Sequence, residues 1–84
     1  MAAMERDEVM KLVRDHLSTE LEVEPDRIQP ETRFREDLNA DSLDLYELVM
    51  ELEDRYGVAV SEQQATQILT VGDAVGFVVE HAPA

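Results

Sequence analysis

The chain has 84 residues, with 20 acidic side chains against 7 basic ones and a formal net charge of −13. That length allows one domain, expected to span residues 1–84, with a core too thin to enclose a multilayered substrate cavity. Without a cysteine the chain has no disulfide framework, no thiolate zinc site and no thiol nucleophile of its own. A surface this acidic repels nucleic-acid phosphates and anionic lipid, and attracts basic proteins and cations. No apolar run approaches the ~20 residues that span a bilayer. Residues 1–7 lack the regions of a signal peptide, so the expected location is the cytoplasm. The apolar fraction, 44%, is ordinary and its residues are periodic, which argues for a folded domain rather than acidic disorder.

Val9, Leu12, Val13 and Leu17 recur at helical spacing and predict a first helix over about residues 5–20, with Pro25 blocking extension. Residues 21–41 hold Pro25 and Pro30 and read as a long loop pinned by Leu21, Val23, Ile28, Phe34 and Leu38. From Ser42 to Tyr56 there is no glycine or proline, and Gly57 follows at the expected stop, so a second helix occupies that span. Ser61 with Gln64, and Thr70 with Asp73, each resemble a capping box. They open a short third helix to about Gln67 and a fourth to about His81. Val71, Ala74, Val75, Val78 and Val79 give the fourth an apolar face. Val58-Ala59-Val60 is too short to make a sheet. The expected fold is all-α: a small bundle of three main helices plus one short helix, with the long loop between the first and second.

The second helix has two apolar stripes. At 100° per residue, Leu45, Leu48, Val49, Leu52 and Tyr56 fall within about 100° of arc, enough to bury the helix. Leu43, Tyr46, Glu47, Met50 and Asp54 lie opposite. One small bundle does not bury both, so Leu43, Tyr46 and Met50 are expected at the surface, rimmed by carboxylates, as a protein-docking face. Residues 36–54 contain Glu36, Asp37, Asp41, Asp44, Glu47, Glu51, Glu53 and Asp54 and no base, which steers basic partners to this helix.

Asp41 and Ser42 stand at the loop-to-helix junction, where Asp and Ser are favoured caps, and Asp41 with Asp44 imitates a capping box. A serine hydroxyl there is also exposed at the positive end of the helix dipole, where a phosphate attached to it would be stabilised. The stretch Glu36-Asp37-Leu38-Asn39-Ala40-Asp41-Ser42-Leu43-Asp44, continuing through Glu47-Leu48-Val49-Met50, closely resembles the acyl carrier proteins of dissociated fatty-acid and polyketide synthesis. The resemblance extends over nearly the whole chain. It implies that Ser42 carries 4′-phosphopantetheine as a phosphodiester, installed from coenzyme A by a phosphopantetheinyl transferase, with acyl groups held as thioesters on the arm and shuttled between fatty-acid synthesis enzymes. It implies docking of that transferase, ketosynthases, acyltransferases, reductases and dehydratases through Asp41, Leu43, Asp44, Tyr46, Glu47, Met50, Glu53 and Asp54. It also implies acyl chains sheltered between helices, for which Val49, Leu52, Val60, Ala65, Ile68 and Ala74 are available. The protein is expected to be a monomer and a carrier, not an enzyme. Two positions depart from the family pattern. Asn39 stands where glycine is common, but asparagine tolerates a left-handed conformation. Tyr46 replaces a smaller aliphatic residue and enlarges the docking stripe.

Other readings compete. Asp37, Asn39 and Asp41 match the opening of an EF-hand loop, but Ser42 stands for its glycine and Leu48 for its bidentate glutamate. No metal site is therefore expected beyond weak cation binding to the acidic helix. Catalysis by Ser42 would need a neighbouring base, and His16 and His81 read as structural or surface residues. A carrier for a specialised polyketide or lipid pathway is the alternative within the family. Outside it, a small acidic protein that blocks basic clefts explains the charge but gives Ser42 no role.

Overall fold

The computed structural model describes residues 6–82, so the expected helix start at residue 5 and the reading of residues 1–5 lie outside it. Four α-helices follow in order: α1 Arg6–Leu21, α2 Ser42–Tyr56, α3 Glu62–Thr66 and α4 Val71–His81, with one 3-10 turn at Pro25–Arg27. The expected all-helical bundle of three main helices and one short one is the observed architecture. No helix among the described residues is long and apolar enough to cross a membrane.

Each boundary has a local cause. The N-terminus of α2 is closed by a reciprocal capping box. Asp41 Oδ1 accepts the Asp44 N–H at 3.0 Å and Asp44 Oδ2 accepts the Asp41 N–H at 3.1 Å. Ser61 with Gln64 and Thr70 with Asp73 close α3 and α4 in the same way. Such caps satisfy backbone donors that have no partner within the helix. Gly57 ends α2 at φ 70°, in the left-handed region where a Cβ is costly. The third helix ends at Thr66, with Gln67 as its C-cap.

The core collects one stripe from each long helix. Val9, Met10, Val13 and Leu17 of α1 are buried, as are Leu48 and Leu52 of α2 and Val71, Ala74, Val75 and Val78 of α4. Met10 takes a core place that the spacing gave to Leu12, which is half-buried beside it.

The loop from residue 22 to 41 completes the core and is rigidly tied. Ile28, Phe34, Leu38 and Ala40 are buried, while Leu21 and Val23 pack at the edge. The buried Thr32 hydroxyl accepts the Gln29 N–H and donates to the Arg27 carbonyl. The loop is also stitched to the start of α4. Val71 N–H donates to Thr32 O at 2.9 Å, Gly72 N–H to Pro30 O at 2.7 Å, and Phe34 N–H to Leu69 O at 3.1 Å. A Cβ at position 72 would meet Pro30 O at 2.8 Å, so the close approach of loop and helix requires glycine there. Asn39 at φ 57° closes the turn before α2.

Candidate functional site

Ser42 is the first residue of α2, directly after the Asp41 cap, and is exposed. The loop anchors on either side determine where its hydroxyl stands. Phe34 and Ala40 are buried, and the Ala40 N–H donates to Phe34 O at 2.9 Å. Between them Arg35 reaches over the helix start, and its Nη2 donates to Ser42 Oγ at 2.9 Å. Among the described residues this is the one hydrogen bond of the Ser42 hydroxyl. A guanidinium does not take up a proton, so Arg35 is not a general base for Ser42. The Asp44 N–H, foremost, holds the Asp41 carboxyl below its usual range, and the Arg35 charge adds to that.

Neither histidine serves Ser42. His81 Nδ1 lies 2.9 Å from Phe77 O, and its ring stacks on Phe77 at 4.1 Å. His16 lines a groove between α1 and α2 with Glu20, Glu47 and Met50, and its buried Nε2 has no hydrogen-bond partner among the described residues.

Beside Ser42 opens a cleft of about 400 Å³. Its apolar wall is Leu45, Val49, Val60, Ala65 and Ile68, and its exposed lining includes Arg35, Ser42 and Tyr46. Four of the six residues expected to shelter an acyl chain, Val49, Val60, Ala65 and Ile68, therefore meet in one place next to the serine. Leu52 and Ala74 do not line it. They are 2% and 1% exposed, with their side chains spent on the core.

The second stripe of α2 faces outward as its spacing requires: Leu43 is 62% exposed, Tyr46 62% and Met50 50%. Asp41, Glu47 and Asp54 are exposed with them, and Asp44 is half-buried. Glu53 differs from its neighbours, because its Oε2 accepts the Val60 N–H at 2.8 Å and fastens the segment before α3 to α2. Leu69, on the loop before α4, is a further exposed apolar residue at 62% that helical spacing had no means of finding. Arg35 was also missed. It sits in an irregular loop seven residues before Ser42, and the one sequence clue was its being the nearest base ahead of the acidic run.

Carboxylate oxygens of Glu20, Asp44 and Glu47 lie within 4.8 Å of one another. In the stretch that resembles an EF-hand, Asp37 accepts the Arg33 N–H at 2.8 Å and pairs with the Arg33 guanidinium. Asp37 and Asp41 are thus both engaged by their own loop or helix.

An exposed serine hydroxyl at a helix start, next to an apolar cleft, defines a class of helical domain able to display an attached group. Comparison with known proteins gives that class a family. The family described as the phosphopantetheine attachment site matches residues 11–78. The acyl carrier protein of Rubrobacter xylanophilus is 44% identical over 81 residues, covering 96% of this chain and 100% of that one. The acyl carrier protein of Lactobacillus acidophilus is 38% identical, covering 93% and 98%. A solved structure of the acyl carrier protein of Enterococcus faecalis superposes with a TM-score of 0.82 at 38% identity, covering 94% of this chain and 100% of that one. The chain belongs to the acyl carrier protein family. Its role is to carry acyl groups, and its cofactor is 4′-phosphopantetheine.

Proposed function

We propose that Ser42 is the attachment point of 4′-phosphopantetheine and that the 84 residues act as one carrier domain, without catalysis of their own. The observation that carries this is the Ser42 hydroxyl itself, exposed at the first position of α2 within residues 11–78 and bordering the apolar cleft. The residues present fit the group. The hydroxyl is reachable from outside, the helix start favours an anion, and Arg35 adds a cationic donor. Bound there, the arm supplies a terminal thiol that holds acyl groups as thioesters, chemistry the cysteine-free chain lacks. As the Ser42 Oγ–phosphorus bond forms, the pyrophosphate P–O bond of coenzyme A breaks and adenosine 3′,5′-bisphosphate leaves. Arg35 does not take up the hydroxyl proton, which goes to the phosphopantetheinyl transferase. Val49, Val60, Ala65 and Ile68 offer an apolar lining to an acyl chain near its point of attachment.

The exposed stripe of α2 is the docking face for that transferase and for ketosynthases, acyltransferases, reductases and dehydratases with basic patches. Leu43, Tyr46 and Met50 supply apolar contact, and Asp41, Asp44, Glu47 and Asp54 supply charge. Glu53 is bound to the Val60 backbone and contributes field more than contact. The pathway is fatty-acid synthesis, and the protein works as a monomer in the cytoplasm. The departure at Asn39 does not weigh against this, because Asn39 adopts the left-handed conformation the loop needs.

Intact-protein mass after incubation with coenzyme A, magnesium and a phosphopantetheinyl transferase tests the attachment. One added arm on the wild type and none on Ser42→Ala is the expected result. No addition to a folded wild type would leave Ser42 as part of a helix cap only. Loading of the modified protein by a fatty-acid malonyl transferase then tests the pathway.

A further inference from the structure

We propose that Arg35 anchors the phosphate of the arm carried on Ser42, and so sets the root of the arm at the edge of the adjacent cleft. The inference rests on the reading of Ser42 as the attachment point and adds to it a residue that binds the attached group. Three observations carry it. Arg35 Nη2 already donates to Ser42 Oγ at 2.9 Å. Arg35 and Ser42 line the same cleft. Among the described residues Arg35 is in no ion pair with a carboxylate, whereas Arg33 pairs with Asp37 and Arg55 with Glu51.

The chemistry follows from what esterification does to the serine oxygen. As a free hydroxyl, Oγ is a good acceptor and takes the Arg35 N–H. As the bridging oxygen of a phosphodiester it is a poor one, and the two non-bridging oxygens that share the negative charge stand just beyond it on the phosphorus. The guanidinium donor then moves to those oxygens, exchanging a neutral acceptor for an ionised one. Its planar fork suits a phosphate in a way a lysine ammonium does not.

The surroundings make this contact matter. A phosphodiester adds a negative charge beside Glu36, Asp37, Asp41 and Asp44, in a chain of net charge −13. The helix start is already shared with a resident anion, since Asp41 takes the Asp44 N–H. Arg35 supplies the offsetting charge. Its position is held from both sides, by the buried Phe34 and by the Asn39 N–H donating to Arg35 O at 3.1 Å.

The test uses apo and arm-bearing forms of the wild type, R35Q, R35K and the remote charge control R55Q, the extent of modification being read by mass. Attachment is expected to lower the melting temperature of R35Q by about 2–5 °C more than that of the wild type. R35K falls between them and R55Q behaves as wild type. The 31P resonance of the phosphodiester is expected to move in R35Q and not in R55Q. Equal differences between apo and modified forms in wild type and R35Q, or a 31P resonance indifferent to R35Q, would overturn the proposal and leave Arg35 a partner of the unmodified hydroxyl only. Failure of the wild type to gain an arm at all would instead overturn the reading of Ser42, and this one with it.

Discussion

Asp41 does two things at one position. Its carboxylate caps α2 and contributes negative charge next to Ser42. The Asp44 N–H stabilises the ionised form and lowers its pKa. A carboxyl whose pKa is lower folded than unfolded adds stability above its ordinary value of 3.8, and that stability is lost as pH falls through the folded value. Asp37 behaves likewise, chiefly through the Arg33 N–H. Asp41→Asn keeps a capping acceptor but removes the titration. Its melting temperature near pH 7 is expected to lie below that of the wild type, because the ionised carboxylate is gone, with a shallower fall between about pH 5 and 3 so that the two converge in acid. Thermal unfolding across that range checks it. A slope equal to that of the wild type would show that Asp41 is not part of the acid response.

The helix α2 is amphipathic on both sides for different reasons. Leu48 and Leu52 hold it to the core, while Leu43, Tyr46 and Met50 stay outside at 50–62% exposure. Substitutions on the two sides should therefore separate in their effects. Glu47→Lys reverses a charge on an exposed face of a strongly acidic protein, so the fold loses nothing and self-repulsion eases. Encounter with basic partners slows, and KM for partner enzymes is expected to rise by about 3–10-fold with kcat little changed. Met50→Ala is expected to weaken docking without a fall in melting temperature. Steady-state kinetics with one partner, run beside thermal denaturation, decides this. A large fall in melting temperature for either variant would place its side chain in the core.

Across the whole molecule, charge opposes compaction. The chain carries −13 on 84 residues, and the ion pairs Arg33–Asp37 and Arg55–Glu51 are exposed, at 3.3 and 3.4 Å, so each adds little. Acids from two helices converge at Glu20, Asp44 and Glu47, and their like charges repel. Millimolar magnesium or calcium is expected to raise the melting temperature by about 4–8 °C for each kcal/mol of stabilisation, and sodium at matched ionic strength by less. A melting temperature indifferent to divalent cations would show that the clustered carboxylates do not destabilise the fold.

The helices and their ends were legible in the sequence because their causes are local. Asp41 with Asp44, Ser61 with Gln64 and Thr70 with Asp73 each act within four residues. Gly57 and Asn39 meet backbone demands that residue type alone announces. The exposure of Leu43, Tyr46 and Met50 followed from helical geometry and the small size of the bundle. The segment around Ser42 announced the family. Only the tertiary structure decided what depends on chain far apart in sequence. It sorted the apolar residues, setting Val49, Val60 and Ala65 around the cleft, Ile68 in both cleft wall and core, and Leu52 and Ala74 in the core away from the cleft. It tied the long loop to α4 through Thr32, Pro30 and Gly72. It committed Glu53 to the Val60 backbone and brought Arg35 onto Ser42. No periodicity or cap governs those contacts. They arise from how an irregular loop closes over the core, and that closure is settled by packing and backbone hydrogen bonds across the whole fold.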